Sequence, residues 1–319
     1  MAKSTQRLDF LAALSGFMIP MQARANGELS HRIGNGVEAA LFSFGSGLIV
    51  IICIAIFNRN IKVGMSNLRS AVAAKSIPKW TLFAGMLGGT FVAIQTHVVP
   101  FIGVAIYTVA SLAGQAGTSL LVDRLGLTGG GKKHITTRRV TAASLTVLAV
   151  LVSVLDRIDA ADLNFFFVTL AFIAGAVVGI QRALNGRINE YSHQSFATSL
   201  LNFIMGTTFL VIFLSALLIF GGDELKPMPH GPWWMFTGGV IGVIYIAWSA
   251  TIVQHLGVLT FTLFSVGGQL VSSLLIDIIS PTHGVRVSWF LVAGIALSYL
   301  GVLAGGVNDL RKKKVTHTS

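Results

Sequence analysis

Amide side chains at helical spacing are the residues of this sequence best suited to hold a ligand. Gln22 and Asn26 are four residues apart, as are Gln181 and Asn185, so each pair would share one helix face. Amides both donate and accept hydrogen bonds, and inside an apolar helix they seek a partner or a wet cavity. We expect these four to contact a polar solute at a central site. Alternatively, they tie helices together or mark helix ends. A first helix that ends near residue 25 would favour this alternative, whereas one that continues to about residue 33 would place Gln22 centrally.

Five further residues are second candidates for the same site. Gln115 and Gln269 each follow a glycine inside an apolar stretch, where they could reach across to a solute or make a structural bond between helices. Gln95 and His97 lie in another such stretch, and Trp248 occupies its counterpart in the second half. Together they could stack on and hydrogen-bond a heterocyclic ligand, with His97 as a proton carrier. The alternative is ordinary interfacial polarity, because Pro100 follows closely.

Three carboxylates could couple transport to a proton or cation. Asp123 and Asp277 stand at the ends of apolar stretches, and Glu38 stands at the start of another. Helix capping or pairing with a loop cation is the competing interpretation for the two aspartates. Glu38 could equally be solvated at the surface.

Enzyme chemistry and cofactors find little support. The eight histidines are scattered without metal-ligand spacing, and no nucleophile has a base at a recognisable distance. A glycine-rich stretch from Gly126 to Lys133 nearly matches a phosphate-binding loop, but Lys133 replaces the magnesium-binding hydroxyl. We expect no metal, no cofactor and no catalytic residue.

The elements that must position these side chains are membrane helices. Of 319 residues, 53% are hydrophobic and 11% charged, with a mean hydropathy of +0.76, far from the roughly 25% charge of a soluble domain. Stretches of about 17 to 25 residues almost without charge are long enough to span a bilayer as helices. They number ten: 8–25, 37–57, 80–99, 102–122, 140–155, 163–181, 196–220, 232–253, 257–279 and 288–307.

The basic residues predict the orientation. With ten spans, 18 of the 23 Lys and Arg residues fall on the side of the termini and 5 on the other. By the positive-inside rule, both termini are cytoplasmic. No aromatic residues interleave with the basic loops, so we expect contact with lipid headgroups rather than nucleic acid.

The chain contains an internal duplication. Residues 11–30 resemble residues 170–189 at an offset of 159, and the offset falls to 153 and then 154 in later segments. We therefore expect two domains, 1–158 and 159–319. Since each holds five spans, the second must enter the membrane from the opposite side, which makes the pair an inverted repeat. Such repeats typically serve transport by alternating access around a shared site.

Three short motifs recur in family-like spacing: Gly16, Pro20, Gln22 and Asn26 in span one, Trp80, Gly85 and Gly89 in span three, and Gly114, Gln115 and Asp123 in span four. With these motifs the sequence resembles the YdcZ-type inner-membrane proteins of the drug/metabolite transporter superfamily. The resemblance covers both halves and implies two fused copies, ten helices, a plasma-membrane location and export of a small molecule. The small multidrug exporters of this superfamily carry a Glu within their first helix. Here no carboxylate lies in the middle of span one or six.

The sequence thus predicts an all-α polytopic membrane protein with ten transmembrane helices as two inverted five-helix repeats. Its expected function is secondary transport of a small polar or amphiphilic metabolite across the plasma membrane. The alternatives are a polytopic membrane enzyme, which should cluster carboxylates and histidines at one membrane face, and a channel, which needs a continuous polar stripe. Expected partners are the solute and membrane lipids, and a homodimer is compatible with the glycine-rich helix faces.

Overall fold

Every regular element of the described residues is a helix. The structure is a computed structural model that describes residues 2–127, 136–153, 155, 165–222, 224–256, 258–281 and 287–301. The helices, numbered in chain order, are α1 Ala2–Ile33, α2 Gly36–Phe57, α3 Arg59–Ala73, α4 Ala84–Leu125, α5 Thr137–Ser153, α6 Phe165–Ser192, α7 Ser195–Phe220, α8 Gly238–Leu256, α9 Val258–Ile279 and α10 Trp289–Gly301. Short 3-10 turns at Lys79–Phe83 and Trp233–Phe236 precede α4 and α8.

The apolar helices have the length and surface of membrane spans. Within the described residues, four stretches are long and apolar enough to cross a bilayer: Gly36–Phe57, Lys79–Val122, Phe165–Ser192 and Ser195–Phe220. Shorter apolar helices cover Val140–Ser153, Ser265–Ile279 and Trp289–Gly301. Large side chains such as Ile49, Ile212 and Ile219 point outward and are more than half exposed. A helical protein that displays so much apolar surface is built for lipid, and this chain is an all-α membrane protein.

A break at Gly103 divides α4 into two parts, 84–102 and 104–125. Unbroken, a helix of 42 residues would be about 63 Å long, twice the thickness of the hydrocarbon core. Gly103 has φ 79° and ψ 170°, a conformation open to glycine because it lacks a Cβ. The amides of Val104 and Ala105 donate to the two carboxylate oxygens of Asp277 at 3.2 and 2.7 Å. The second half of the chain therefore caps a helix of the first.

Two helices extend beyond their predicted spans. α1 continues to Ile33 rather than ending at residue 25, and α6 continues to Ser192 rather than 181. Of the two ends that the sequence left open for the first helix, near residue 25 or near residue 33, the structure has the second. The charged residues of this segment neutralise one another, because Glu28 bonds Arg24 at 2.9 Å and Arg32 at 2.6 Å, each one turn away. Gln22 therefore lies well inside its helix.

The helix α3 lies where the sequence predicts a cytoplasmic loop. It is amphipathic and buries Ile61, Gly64 and Leu68 against α6 and α7. Its basic residues Arg59, Lys62 and Arg69 remain exposed on the other side. The sequence predicts a loop here because the basic residues dominate the segment, and only three residues form the buried face of the helix.

Close helix crossings occur at equivalent glycines of the two halves. α6 crosses the second part of α4 where Gly175 meets the carbonyl of Ser111, and Gly114 meets that of Phe172. α1 crosses α9 where Gly16 meets the carbonyl of Ser265. At the offsets found in the sequence, Gly16 corresponds to Gly175 and Ser111 to Ser265. The two crossings are thus the same contact made twice, and both join one half to the other.

Candidate functional site

A cavity of about 360 Å³ lies between the halves, enclosed by α1, α2, both parts of α4, and α6 to α9. Amide side chains from several helices reach it: Gln22, Gln115, Gln181, Asn185, Asn189 and Gln269. Hydroxyl groups add to the polar wall: Ser43, Tyr107, Thr108, Ser111, Ser195, Thr198 and Tyr245. The apolar part of the wall includes Ile19, Phe44, Phe91, Val92, Val178, Phe203 and Ile246. Such a cavity suits a small molecule with both polar and apolar parts.

The core of the cavity repeats itself between the halves. Phe44 and its counterpart Phe203 contact each other with ring centroids 5.2 Å apart. Gln115 donates to Ser111 Oγ at 3.3 Å, and the equivalent Gln269 donates to Ser265 Oγ at 3.4 Å. Both halves therefore contribute matching groups to one site.

The glutamines of α1 and α6 are held by different partners. Gln22 Nε2 donates to the carbonyl of Gly238 at 3.0 Å. Gln181 Nε2 donates to Asn202 Oδ1, also at 3.0 Å, and Asn202 Nδ2 donates to Asn185 Oδ1 at 2.7 Å. Fixed amide orientations of this kind preorganise a binding wall. Asn202 was not among the predicted residues, although it aligns with Ser43 and both are polar residues within apolar runs.

Arg182 is a functional candidate that the sequence analysis missed. It was counted among the loop cations that set orientation, but α6 continues through it and turns its side chain to the cavity. Its Nη1 donates to Gln115 Oε1 at 2.5 Å and its Nη2 to the hydroxyl of Tyr245 at 3.4 Å. Among the described residues that line the cavity, Arg182 is the one with a formal charge.

The other predicted solute contacts lie away from the cavity lining. Asn26 and Gln95 are fully buried and face each other, with Asn26 Nδ2 3.5 Å from Gln95 Oε1. His97 is exposed and packs against the rings of Phe101 and Phe167. Trp248 is half-buried and does not line the cavity. The structure therefore places five of the predicted contacts around the cavity: Gln22, Gln115, Gln181, Asn185 and Gln269. The other four, Asn26, Gln95, His97 and Trp248, lie outside its lining.

The three candidate coupling carboxylates have separate surroundings. Asp277 is buried and caps the break at Gly103, which matches the alternative interpretation given for it. Glu38 is partly exposed and accepts the amide of Lys226 at 3.3 Å. The side chain of Asp123 lies outside the described residues. In the described part of the chain, no group of three or more His, Cys, Asp or Glu residues could hold a metal ion.

Equivalent positions of the two halves differ in accessibility. Asn185 and Asn189 line the cavity and are partly exposed. Their counterparts Asn26 and Ser30, at the offset of 159, are 0% and 5% exposed. We call the part of the bundle around Asn185 and Asn189 the open end, and the equivalent part around Asn26 and Ser30 the sealed end.

An ion-pair cluster lies at the sealed end. Glu28 is buried between Arg24 and Arg32 of the same helix. Arg24 also donates from Nε to the Ser280 carbonyl at 3.1 Å and covers the ring of Trp234 at 5.0 Å. Arg32 donates to the carbonyl of His230 at 3.1 Å. The cluster thus joins α1 to segments of the second half.

Comparison with known proteins identifies the family. The model of the family described as "Putative inner membrane exporter, YdcZ" matches residues 8–152 and 166–304. The inner membrane protein YdcZ of Escherichia coli K12 is 32% identical over 123 residues, which is 37% of this chain and 78% of that protein. A solved structure titled "Crystal structure of protein" covers 97% of this chain and 98% of its own at a TM-score of 0.52 and 15% identity, a likeness of fold.

The two matched segments correspond to the two halves of the duplication. Because one family unit corresponds to one half, the match to Escherichia coli YdcZ covers 37% of this chain. The family is one of inner-membrane exporters, so the chain is a multi-pass plasma-membrane protein of the transporter class. It belongs to the YdcZ family of the drug/metabolite transporter superfamily, as a fusion of two YdcZ-like repeats.

Proposed function

We propose that this protein is a secondary transporter that exports a small amphiphilic solute by alternating access. In this proposal ten transmembrane helices form two inverted five-helix repeats, 1–158 and 159–319, with both termini in the cytoplasm. The solute occupies the cavity between the repeats, where Gln22 and Gln181 contact it from opposite halves. Membrane lipids surround the bundle.

The observation that carries the proposal is the unequal exposure of equivalent positions. Two inverted halves that exchange conformations must present, at any moment, one open and one closed version of the same surface. Asn189 is accessible while Ser30, its counterpart, is 5% exposed. The state described is then open towards the cytoplasm, since the basic α3 lies against the open end of α6.

The cluster of Arg24, Glu28 and Arg32 supplies a lock for the closed side. Its partners, Ser280 and Trp234, belong to the second half, so opening that side must break these contacts. The counterpart of Glu28 at the repeat offset is Arg187, which has the opposite charge and cannot form the same lock. The two gates are therefore chemically different, and each state can be weakened separately.

Thiol labelling can test the proposal because the chain has a single cysteine, Cys53, which is exposed on α2. In a Cys53→Ala background, Asn189→Cys and Ser30→Cys are treated with a membrane-impermeant maleimide in vesicles of known orientation. We expect Asn189→Cys to react from the cytoplasmic side and Ser30→Cys to react much more slowly, from the opposite side.

Adding Glu28→Gln to both variants then tests the coupling between the two ends. Alternating access predicts faster labelling at Ser30→Cys together with slower labelling at Asn189→Cys, because one end closes as the other opens. Glu224→Gln, at an exposed residue more than 30 positions from either labelled site, is the control and should change neither rate. Faster labelling at Ser30→Cys with no change at Asn189→Cys would indicate local loosening and contradict the proposal.

A further inference from the structure

The charge of the cavity points to the class of solute, an inference that rests on the proposed function. Arg182 lines the cavity, and its described partners, Gln115 and Tyr245, are both neutral. Neither of the two ion pairs found among the described residues includes it. A guanidinium has five N–H donors, and these two bonds occupy two of them. The exposed guanidinium therefore keeps its charge and three of its donors for a ligand.

The fold itself does not require a cation at this place. The equivalent residue of the first half is Ala23, which is 1% exposed in the corresponding turn of α1. The same helix turn thus packs well with a methyl group. Arg182 is thus present in one half alone at this position, and its side chain lines the cavity.

The groups next to Arg182 favour an acceptor as the ligand group. Asn185 lies one turn further along α6; its Oδ1 accepts from Asn202 at 2.7 Å, which fixes the orientation of the amide, and its Nδ2 is a second donor beside Arg182. The oxygen of Gln115 is likewise occupied by Arg182. Among the described residues of the lining, no carboxylate competes for these donors. Carboxylates and phosphates are the acceptors that a guanidinium binds most strongly.

The apolar part of the cavity wall indicates that the rest of the solute is apolar. Phe44, Phe91 and Phe203 line the same cavity. Apolar walls also focus the field of a single cation, which raises the local concentration of anions. We infer that the solute is a small organic anion, with its carboxylate or phosphate at Arg182 and its apolar body against the phenylalanine rings.

The test compares phenyl compounds of similar size that carry an anionic, a neutral or a cationic polar group. Thermal unfolding of the detergent-purified protein is measured with phenylacetate, phenyl phosphate, phenylacetamide and phenethylammonium, each over a concentration series. We expect one or both anions to raise the unfolding temperature at concentrations where the amide and the amine do not. The carboxylate and phosphate arms then distinguish the two acceptors.

Two substitutions connect the preference to the residue. Arg182→Gln should weaken anion binding about 10- to 100-fold, the loss of one charge-assisted bond, and leave any response to phenylacetamide unchanged. Arg182→Lys should retain part of the affinity, because it keeps the charge and loses the planar fork. Arg187→Gln removes a cation from the same helix outside the cavity lining and should have no effect. Unfolding temperatures without ligand verify that each variant folds.

Failure of this inference differs from failure of the proposed function. Anion binding unchanged in Arg182→Gln, or equal binding of the amine, would overturn the inference and leave the transporter proposal standing through its labelling test. No response to any probe up to millimolar concentration would overturn the inference in the same way. Labelling rates at Ser30→Cys and Asn189→Cys that fail to move in opposite directions would count against transport itself.

Discussion

The crossing of α4 and α6 predicts opposite effects for one substitution at two glycines of the same helix. A Cβ added at Gly175 would lie 1.9 Å from the carbonyl oxygen of Ser111 and 2.6 Å from its carbonyl carbon. A Cβ added at Gly186, about three turns further along, would meet no atom within 4 Å. Gly175→Ala should therefore destabilise the protein, whereas Gly186→Ala should not.

The size of the effect follows from the contact distances. Ordinary contact needs about 3.4 Å or more, so the two backbones would have to separate by more than an ångström along this line. Overpacking costs about 1–3 kcal/mol, and the upper end applies because the obstacle is backbone rather than a flexible side chain. Alanine regains about 0.5–1 kcal/mol of helix propensity. The net loss for Gly175→Ala is then about 2 kcal/mol, against a gain of about 0.5–1 kcal/mol for Gly186→Ala.

Unfolding titrations in mixed detergent micelles measure both values under one condition. Gly114→Ala offers an independent check, since its Cβ would lie 1.9 Å from the carbonyl oxygen of Phe172 at the same crossing. Free energies of unfolding for Gly175→Ala and Gly186→Ala within about 0.5 kcal/mol of each other would refute the close crossing, because that is the range expected of ordinary surface substitutions.

Two further substitutions test the buried charges. Glu28→Gln should lower the free energy of unfolding by about 2–3 kcal/mol, which is less than for a fully buried pair because Arg32 keeps 38% of its side chain exposed. In the same titrations, Glu190→Gln should stay within about 0.5 kcal/mol of the parent. An equal loss in both variants would contradict the ion-pair cluster. Asp277→Ala should lower the free energy of unfolding by about 1–3 kcal/mol, because the amides of Val104 and Ala105 lose their acceptor, and Asp277→Asn should restore part of this loss. Hydrogen exchange at these two amides should become faster in Asp277→Ala. Unchanged exchange would argue against the cap.

The repeat made part of the site predictable. Gln22 and Gln181 stand at one offset, so the duplication alone indicates that they are counterparts, and both line the cavity. The same holds for Gln115 and Gln269. Periodicity could not reveal that Asn26 turns away from the cavity, because its side chain fills the space left by Gly238 in a helix more than 200 residues away.

Sequence reasoning misses Arg182 because it assigns the residue the usual role of a basic residue in a membrane protein. A basic residue at the end of an apolar run normally marks the cytoplasmic side of a span. Its actual role depends on how far α6 continues, and that is decided by packing of residues 182–192 against α3 and α7 rather than by hydropathy. The alignment with Ala23 was visible in the sequence and would have been the usable signal.

The break in α4 was partly foreseeable. The predicted spans end at residue 99 and resume at 102, close to the Gly103 at which the helix breaks. Helix capping was one of the interpretations that the sequence offered for Asp277, but it could not show which amides are capped, because Asp277 lies 173 positions after Val104.

The cap at Gly103 also constrains the order of biogenesis. Val104 and Ala105 leave the ribosome long before Asp277, and at about 5–20 residues per second the delay is roughly 10–35 s. During that interval the two amide donors, which lie where one predicted span ends and the next begins, have no carboxylate partner. The first half therefore inserts before it can complete its own fourth helix. Newly made chains should depend, for those seconds, on water, lipid headgroups or the insertion machinery to satisfy a bond that the second half later supplies.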